Sequence, residues 1–352
     1  GLQYDRRTCR CCGGGAVMSV LDGIYAKAKA NPQKVAFPEA TNEKMMQAAY
    51  EAGREGCILP VLVGNAEEIR TLAKERGYEA SAFTIADINE ETEKARIIAE
   101  YVALPDTKLK EKALGRRMQN PLYYAMAMQK IGEVSVTFAG IDNTTGDVLL
   151  AGQMMIGLAP GIQTVSSIGL CDIPGFEGSE GSLLAVGDSA VCTNPTSEQL
   201  ADIAISACDT VKSLLSWEPR CAFVCYSTLG SGQGELIDKV TKALAIANEK
   251  RPDLAIDGEF QFDAAISREV AKKKVRRESK VAGKANVIIW PDLNVGNVGV
   301  KLIQQFGHAD AYGPMLQGFN GIVCDCSRGA PVSEIKGNIV ISAVRAAGMD
   351  KA

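Results

Sequence analysis

A chain of 352 residues, 46% hydrophobic and 23% charged, has an ordinary globular composition. It is long enough for two domains and lacks the bias of a disordered or fibrous protein. Its net charge of -4 speaks against a nucleic-acid-binding surface, which needs clustered Lys and Arg. No run approaches the ~20 consecutive apolar residues of a membrane-spanning helix, so no membrane partner and a cytoplasmic location are expected.

Residues 1–17 show neither helical nor strand periodicity and are expected to be an extended or non-native segment ahead of Met18. From there helix and strand alternate. Residues 19–30 are amphipathic, 34–38 form a short strand, and 42–54 return to helical spacing with Asn42 placed as N-cap. Residues 57–63 are apolar on both faces, as a strand buried in a parallel sheet requires. Helices at 67–76 and 90–102 and a strand at 134–139 follow. In the second half Thr196 and Gln199 form a capping box before a helix running through Leu215. A buried strand at 221–226, a helix at 234–248 and another buried strand at 286–290 continue the rhythm. This alternation predicts α/β domains with largely parallel sheets.

Eleven cysteines stand against one histidine, His308. Most of the cysteines, Cys57, Cys171, Cys208, Cys221 and Cys225 among them, lie singly in apolar or strand-like context and read as reduced core residues. Cys324 and Cys326 alone are a weak metal signal, and no metal is expected. With so little imidazole available, the Ser-His-Asp and Cys-His devices are disfavoured and a general base is expected to be a carboxylate. The basic run of Lys272, Lys273, Lys274, Arg276 and Arg277 reads as a solvated helix end, or else as a patch for a polyanionic cofactor.

Three loops follow apolar strands and precede helices, where open α/β sheets collect ligands. The first, 226–234, is Gly- and Ser-rich and includes Ser227 and Thr228; its backbone N–H groups suit a phosphate, although such turns are common. The second, 290–299, carries Asp292, Asn294 and Asn297, with helix capping as the plain alternative for Asp292. The third is Asp325-Cys326-Ser327-Arg328-Gly329-Ala330-Pro331, with Pro331 suited to the first position of a helix reaching about Ala347. Ser327 and Arg328 then sit beside a helix N-terminus that favours an anion, Arg328 adds a fork for two phosphate oxygens, and Glu334 lies one turn along. Equally, these three are a capping Ser, a surface Arg and a first-turn Glu.

Taken together, the segments at 34–39, 188–196, 226–228, 257–263, 283–286, 291–297, 313–318 (Gly-Pro-Met-Leu-Gln-Gly) and 327–329 (Ser-Arg-Gly) resemble, in order, those of the phosphate acetyl/butyryl transferase family. The likeness runs from about residue 18 to about residue 347. It implies two doubly wound αβα domains, isocitrate/isopropylmalate dehydrogenase-like, with a cleft between them. The first domain would be discontinuous, 18–158 plus 315–352, and the second 159–314. It further implies a homodimer and reversible transfer of an acetyl group between coenzyme A and inorganic phosphate through a ternary complex, with acetyl-CoA and acetyl phosphate as the acylated partners. No permanently bound cofactor is implied.

By position in that family, Ser327 and Arg328 match the residues holding the acyl phosphate, Lys301 and Tyr312 match supporting contacts, and Thr144 and Thr145 match a Ser/Thr pair facing the same phosphate. Glu334 falls where the family has an aspartate proposed as base for the thiol. Gln305 and Leu150 stand where arginines are common, and Lys108, Arg116 and Arg117 are candidates for a further arginine. The alternatives are a propionyl or butyryl transferase using the same residues, and a non-catalytic relative with a sensing or assembly role. A dehydrogenase is disfavoured, since there is no dinucleotide fingerprint.

Overall fold

The computed structural model describes residues 20–107 and 109–349; the N-terminal segment and Lys108 lie outside them. The chain begins with α1 (Val20–Ala30), β1 (Gln33–Phe37), α2 (Glu43–Arg54), β2 (Ile58–Gly64), α3 (Ala66–Glu75), β3 (Thr84–Asp87) and α4 (Glu91–Ala103). It continues through α5 (Glu111–Arg117), α6 (Pro121–Lys130), β4 (Val136–Ala139) and α7 (Thr145–Met155). Next come β5 (Ser166–Asp172), β6 (Leu183–Gly187), α8 (Ser197–Leu215), β7 (Arg220–Val224), α9 (Glu235–Lys250) and β8 (Ala255–Phe260). The last part holds α10 (Phe262–Ile266), α11 (Arg268–Lys274), β9 (Val287–Ile289), α12 (Leu293–Phe306), β10 (Asp310–Gln317), β11 (Ile322–Asp325) and α13 (Val332–Met349).

Two sheets result. The first has order β11-β4-β1-β2-β3 and is parallel throughout. The second has order β10-β5-β6-β9-β7-β8, parallel from β6 to β8 but antiparallel at the β10-β5-β6 edge. That edge is where the sequence rhythm misleads: β5 and β6 are joined without a helix, so they pair antiparallel rather than through a crossover.

Each sheet carries helices on both faces, because successive side chains point to opposite sides. Val35 and Phe37 face a core shared with α1, α2, α3 and α13, while Ala36 faces one made with α4 to α7. In the second sheet Cys221 and Phe223 face α8 and α9, and Ala222 and Val224 face α10, α11 and α12. The molecule is thus two αβα sandwiches. Their cores join where α13 packs on α8, and Leu215, Tyr312 and Met315 touch the core on either side.

Local chemistry accounts for the element ends. Asn42 accepts hydrogen bonds from the Lys44 and Met45 amides, and Thr196 and Gln199 close a reciprocal capping box. The eight cysteines among the described residues are all free. Pro331 stands one residue before α13 rather than inside it, and the helix continues past Ala347 to Met349. Among the described residues no helix is long and apolar enough to cross a membrane.

The α13–α8 contact is close enough to need a glycine: a Cβ on Gly348 would lie 2.0 Å from the Ser213 carbonyl oxygen. Ala for Gly inside a helix ordinarily gains up to about 1 kcal/mol. Here Gly348→Ala is expected to lose about 1–3 kcal/mol, since overpacking outweighs propensity. Urea unfolding of the two proteins checks the sign.

Candidate active site

Three buried carboxylates at strand ends shape the loops. Glu39, just beyond β1 and 4% exposed, accepts hydrogen bonds from the amides of Gly140, Ile141 and Asn143 and from Asn143 Nδ2, at 2.8–3.0 Å. It pins the loop from β4 into α7. Asp188, just beyond β6, accepts from Ser167 Oγ and from the amides of Ala190, Val191 and Cys192. Glu259, on β8, accepts from Ser227 Oγ at 2.9 Å and the Gly230 amide at 2.7 Å. Such charge-assisted bonds are stronger than neutral ones and compensate the loss of water around each carboxylate.

Two cavities open beside these pinned loops. The larger, about 690 Å³, is lined by residues 143–146 at the start of α7, by Asp325 at the end of β11 and Cys326, Ser327 and Arg328 beyond it, by Ala190 and Val191, and by Pro314 and Leu316. The smaller, about 290 Å³, is lined among others by Asn297, Lys301, Tyr312 and Glu334. Ala190 and Pro314 line both, so the two are neighbours in one cleft. Its walls come from both sheets, at the carboxyl ends of β4, β11 and β6, where open α/β sheets bind ligands.

The larger cavity is electrostatically prepared for an anion. Arg328 and Ser327 are exposed, and Arg328 forms no ion pair with any described residue. Thr144 caps α7 in a reciprocal box with Asp147, whose carboxyl is held below its ordinary value first by the Thr144 hydroxyl and also by the charge of Arg328. Thr145 donates from Oγ1 to Asp325 Oδ2 at 2.6 Å. The Asp325 carboxyl is pushed up, chiefly by burial, with Glu39 adding to the rise and the Thr145 hydrogen bond and Arg328 opposing it. Cys326 also lines the cavity, but burial and then the charges of Glu39 and Asp325 drive its thiol far above the ordinary range. It stays a thiol and makes a poor nucleophile, so nothing in this cavity favours a covalent acyl-cysteine.

A family model described as phosphate acetyl/butaryl transferase matches residues 19–343. The chain belongs to that family. The phosphate acetyltransferase of Clostridium acetobutylicum is 38% identical over 330 residues, covering 94% of this chain and 99% of that one. The enzyme of the same name from Thermoanaerobacterium thermosaccharolyticum is 38% identical over 331 residues, covering 94% of this chain and 100% of its own. A crystal structure of a phosphotransacetylase from Streptococcus pyogenes superposes with a TM-score of 0.84 at 32% identity, over 95% of this chain and 99% of that chain.

Within this phosphate acetyl/butaryl transferase fold the residues singled out from sequence separate into groups. Ser327, Arg328, Thr144 and Thr145 line one cavity; Glu334, Lys301, Tyr312 and Asn297 line the other. Ser227 and Thr228 line neither. Both are buried, the first donating to Glu259 and the second accepting from the Gln261 amide. Asp292 is the N-cap of α12, accepting from the Val295 amide. Gln305 and Leu150 are exposed on α12 and α7 and line neither cavity, and Arg117 stacks over the Tyr123 ring. Arg116 lies in the last turn of α5, also outside both cavities.

Reasoning from sequence assigned no role to Glu39, Asp188 or Asp325. The signal was present: each is a lone acidic residue at or just past the end of an apolar strand, a place where a charge stays only if local donors satisfy it. Glu39→Gln removes the charge and turns an NH₂ toward backbone donors. It is expected to lower stability by about 2–4 kcal/mol and to loosen residues 140–145. Denaturant unfolding together with amide exchange at 140–145 checks both.

Proposed function

We propose that the chain is a cytoplasmic phosphate acetyltransferase, moving an acetyl group reversibly between coenzyme A and inorganic phosphate. The observation that carries this reading is Arg328, without an ion-pair partner among the described residues, beside Ser327 and Thr145 in a cavity adjoining one that holds Glu334. A seat for an anion and a carboxylate base are thereby offered to a single reaction from two sides of the same cleft.

Arg328 takes two oxygens of the acyl phosphate through its planar fork, and the Thr144–Thr145 helix start offers further donors. Glu334 takes the proton of the coenzyme A thiol, the thiolate attacks the acyl carbonyl, and Ser327 donates a hydrogen bond to the oxyanion that forms. Lys301, with no ion-pair partner among the described residues, and Tyr312 border the route by which coenzyme A would reach the acyl group. The carbon–oxygen bond then breaks, phosphate leaves against Arg328, and the acyl group has passed directly from oxygen to sulfur with no acyl-enzyme; the chemistry calls for no permanently bound cofactor.

A homodimer belongs to the same reading. On α12 the side chains of Val295, Val298, Leu302 and Phe306 recur at helical spacing and are all exposed, Phe306 by 80%. A second copy covering this stripe would bury it. Phe306→Asp is expected to convert a dimer to a monomer in light scattering; a dimer that persists places the interface elsewhere.

The deciding assay is formation of acetyl-CoA from acetyl phosphate and coenzyme A, run beside propionyl and butyryl phosphate. The acetyl substrate is expected to react fastest, with Arg328→Ala and Glu334→Gln each lowering kcat by about 10²–10³. Faster turnover of a longer acyl phosphate would reassign the substrate, and no turnover with any of the three would refute the acyltransferase reading.

A further inference from the structure

We propose that Asp325, acting through the hydroxyl of Thr145, is the proton donor to the phosphate released from the acyl phosphate, and the proton acceptor from phosphate in the reverse direction. The inference rests on the acyl-transfer reading above and deepens it.

Proton balance creates the need. When the thiolate displaces phosphate from the acyl carbon, the carbon–oxygen bond breaks and its electron pair stays on the phosphate oxygen. The thiol proton has gone to Glu334, which borders the neighbouring cavity. The departing phosphate therefore lacks one proton relative to the hydrogen phosphate found near neutral pH, and a second acid near that oxygen lowers the barrier to its departure. Arg328 holds its protons too tightly to serve. A hydroxyl serves only if its own proton is replaced at once.

Asp325 can replace it. Its Oδ2 lies 2.6 Å from Thr145 Oγ1, and both residues line the anion cavity with Arg328. Its Oδ1 is buried with no hydrogen-bond partner among the described residues, sealed against the Gly140 backbone, where a Cβ would lie 2.3 Å away. The contrast with its neighbours is telling. Glu39 and Asp188 each accept hydrogen bonds from backbone amides on both carboxylate oxygens, as a buried anion requires. Among the described residues Asp325 accepts a single bond, from the Thr145 hydroxyl, so its charged form is less well compensated than those of Glu39 and Asp188; when protonated on Oδ2 it donates along the same contact to Thr145 Oγ1 instead. The charged groups facing it are Glu39, beyond β1, and Arg328, on its own loop. Burial pushes its carboxyl up and Glu39 adds to the rise, while the Thr145 hydrogen bond and Arg328 oppose them.

In the transfer, Asp325 gives its proton to Thr145 Oγ1 as Thr145 gives its own to the leaving phosphate oxygen. Asp325 ends ionised, Glu334 ends protonated, and exchange with solvent restores both. In reverse, hydrogen phosphate passes its proton through Thr145 to Asp325 while Glu334 returns one to the thiolate.

A phosphate dianion beside Asp325 raises its carboxyl further, so across the pH range in which Asp325 ionises in the free protein, phosphate binding is expected to draw in protons. Calorimetric titration of the full chain with inorganic phosphate, in buffers of different ionisation enthalpy, reads that uptake without any turnover. The unmodified protein should take up protons and Asp325→Asn should not. In the acyl-transfer assay Asp325→Asn is expected to lower kcat about 10²-fold in both directions, to leave KM for acyl phosphate within about threefold, and to remove one ionisation from the pH profile. Thr145→Val keeps Asp325 in place and should lose as much turnover, with Thr145→Ser restoring most of it; this pair tests the relay even if Asp325→Asn fails to fold. Phosphate binding without Asp325-dependent proton uptake, or an unchanged pH profile in an active Asp325→Asn, overturns the proposal alone. An unmodified protein that turns over no acyl phosphate overturns the acyl-transfer reading and this catalytic step with it.

Discussion

A carboxylate taken out of water must be given hydrogen-bond donors, and in this molecule the donors are main-chain amides of the very loops that line the cleft. Glu39 gathers the start of the 140–145 loop, and Asp188 gathers residues 190–192. Leaving such a charge unpaired costs several kcal/mol, so neither loop can move away without a heavy penalty. The rest of the site follows from that constraint. Thr144 and Thr145 stand at a fixed helix start, Ala190 and Val191 form the opposite wall, and the Ser327–Arg328 segment closes the space beyond β11. The exposed, reactive side chains are held by buried ones that touch no substrate.

Much of the frame was legible in the sequence because its causes are local. Asn42 and the Thr196–Gln199 pair announce helix starts by their own side-chain chemistry, and the unbroken apolar run in β2 announces a strand covered on both faces. The family, and with it the αβα architecture, followed from collinear motifs. What escaped depends on contacts distant in sequence. Nothing near β10 says that it will pair with β5 and turn that edge antiparallel. Nothing near Glu334 says that it will border a different cavity from Ser327, only a few residues earlier.

The Gly- and Ser-rich loop at 226–234 teaches a sharper lesson. Its composition suits a seat for a phosphate and a plain loop equally, and it does hold an anion, but the anion is the protein's own Glu259. A turn with free amides and small hydroxyl residues has the same sequence whether it faces a ligand or an internal carboxylate, since both ask for the same donors. Asp292 shows the same ambiguity, because a carboxylate that caps a helix and one that meets a ligand look alike until the fold places them.

The pairing of β11 with β4 sets the order in which the molecule can be completed. Val136 and Ile322 are partners in one sheet, yet the whole β5-to-β9 part of the second sheet lies between them along the chain. During synthesis the strand that carries Ser327 and Arg328 emerges only after most of the neighbouring sandwich is available to fold, and its pairing closes one of the longest loops in the chain. The reactive pair thus arrives late, after every strand of the neighbouring sheet and just before α13, the helix that packs on both halves.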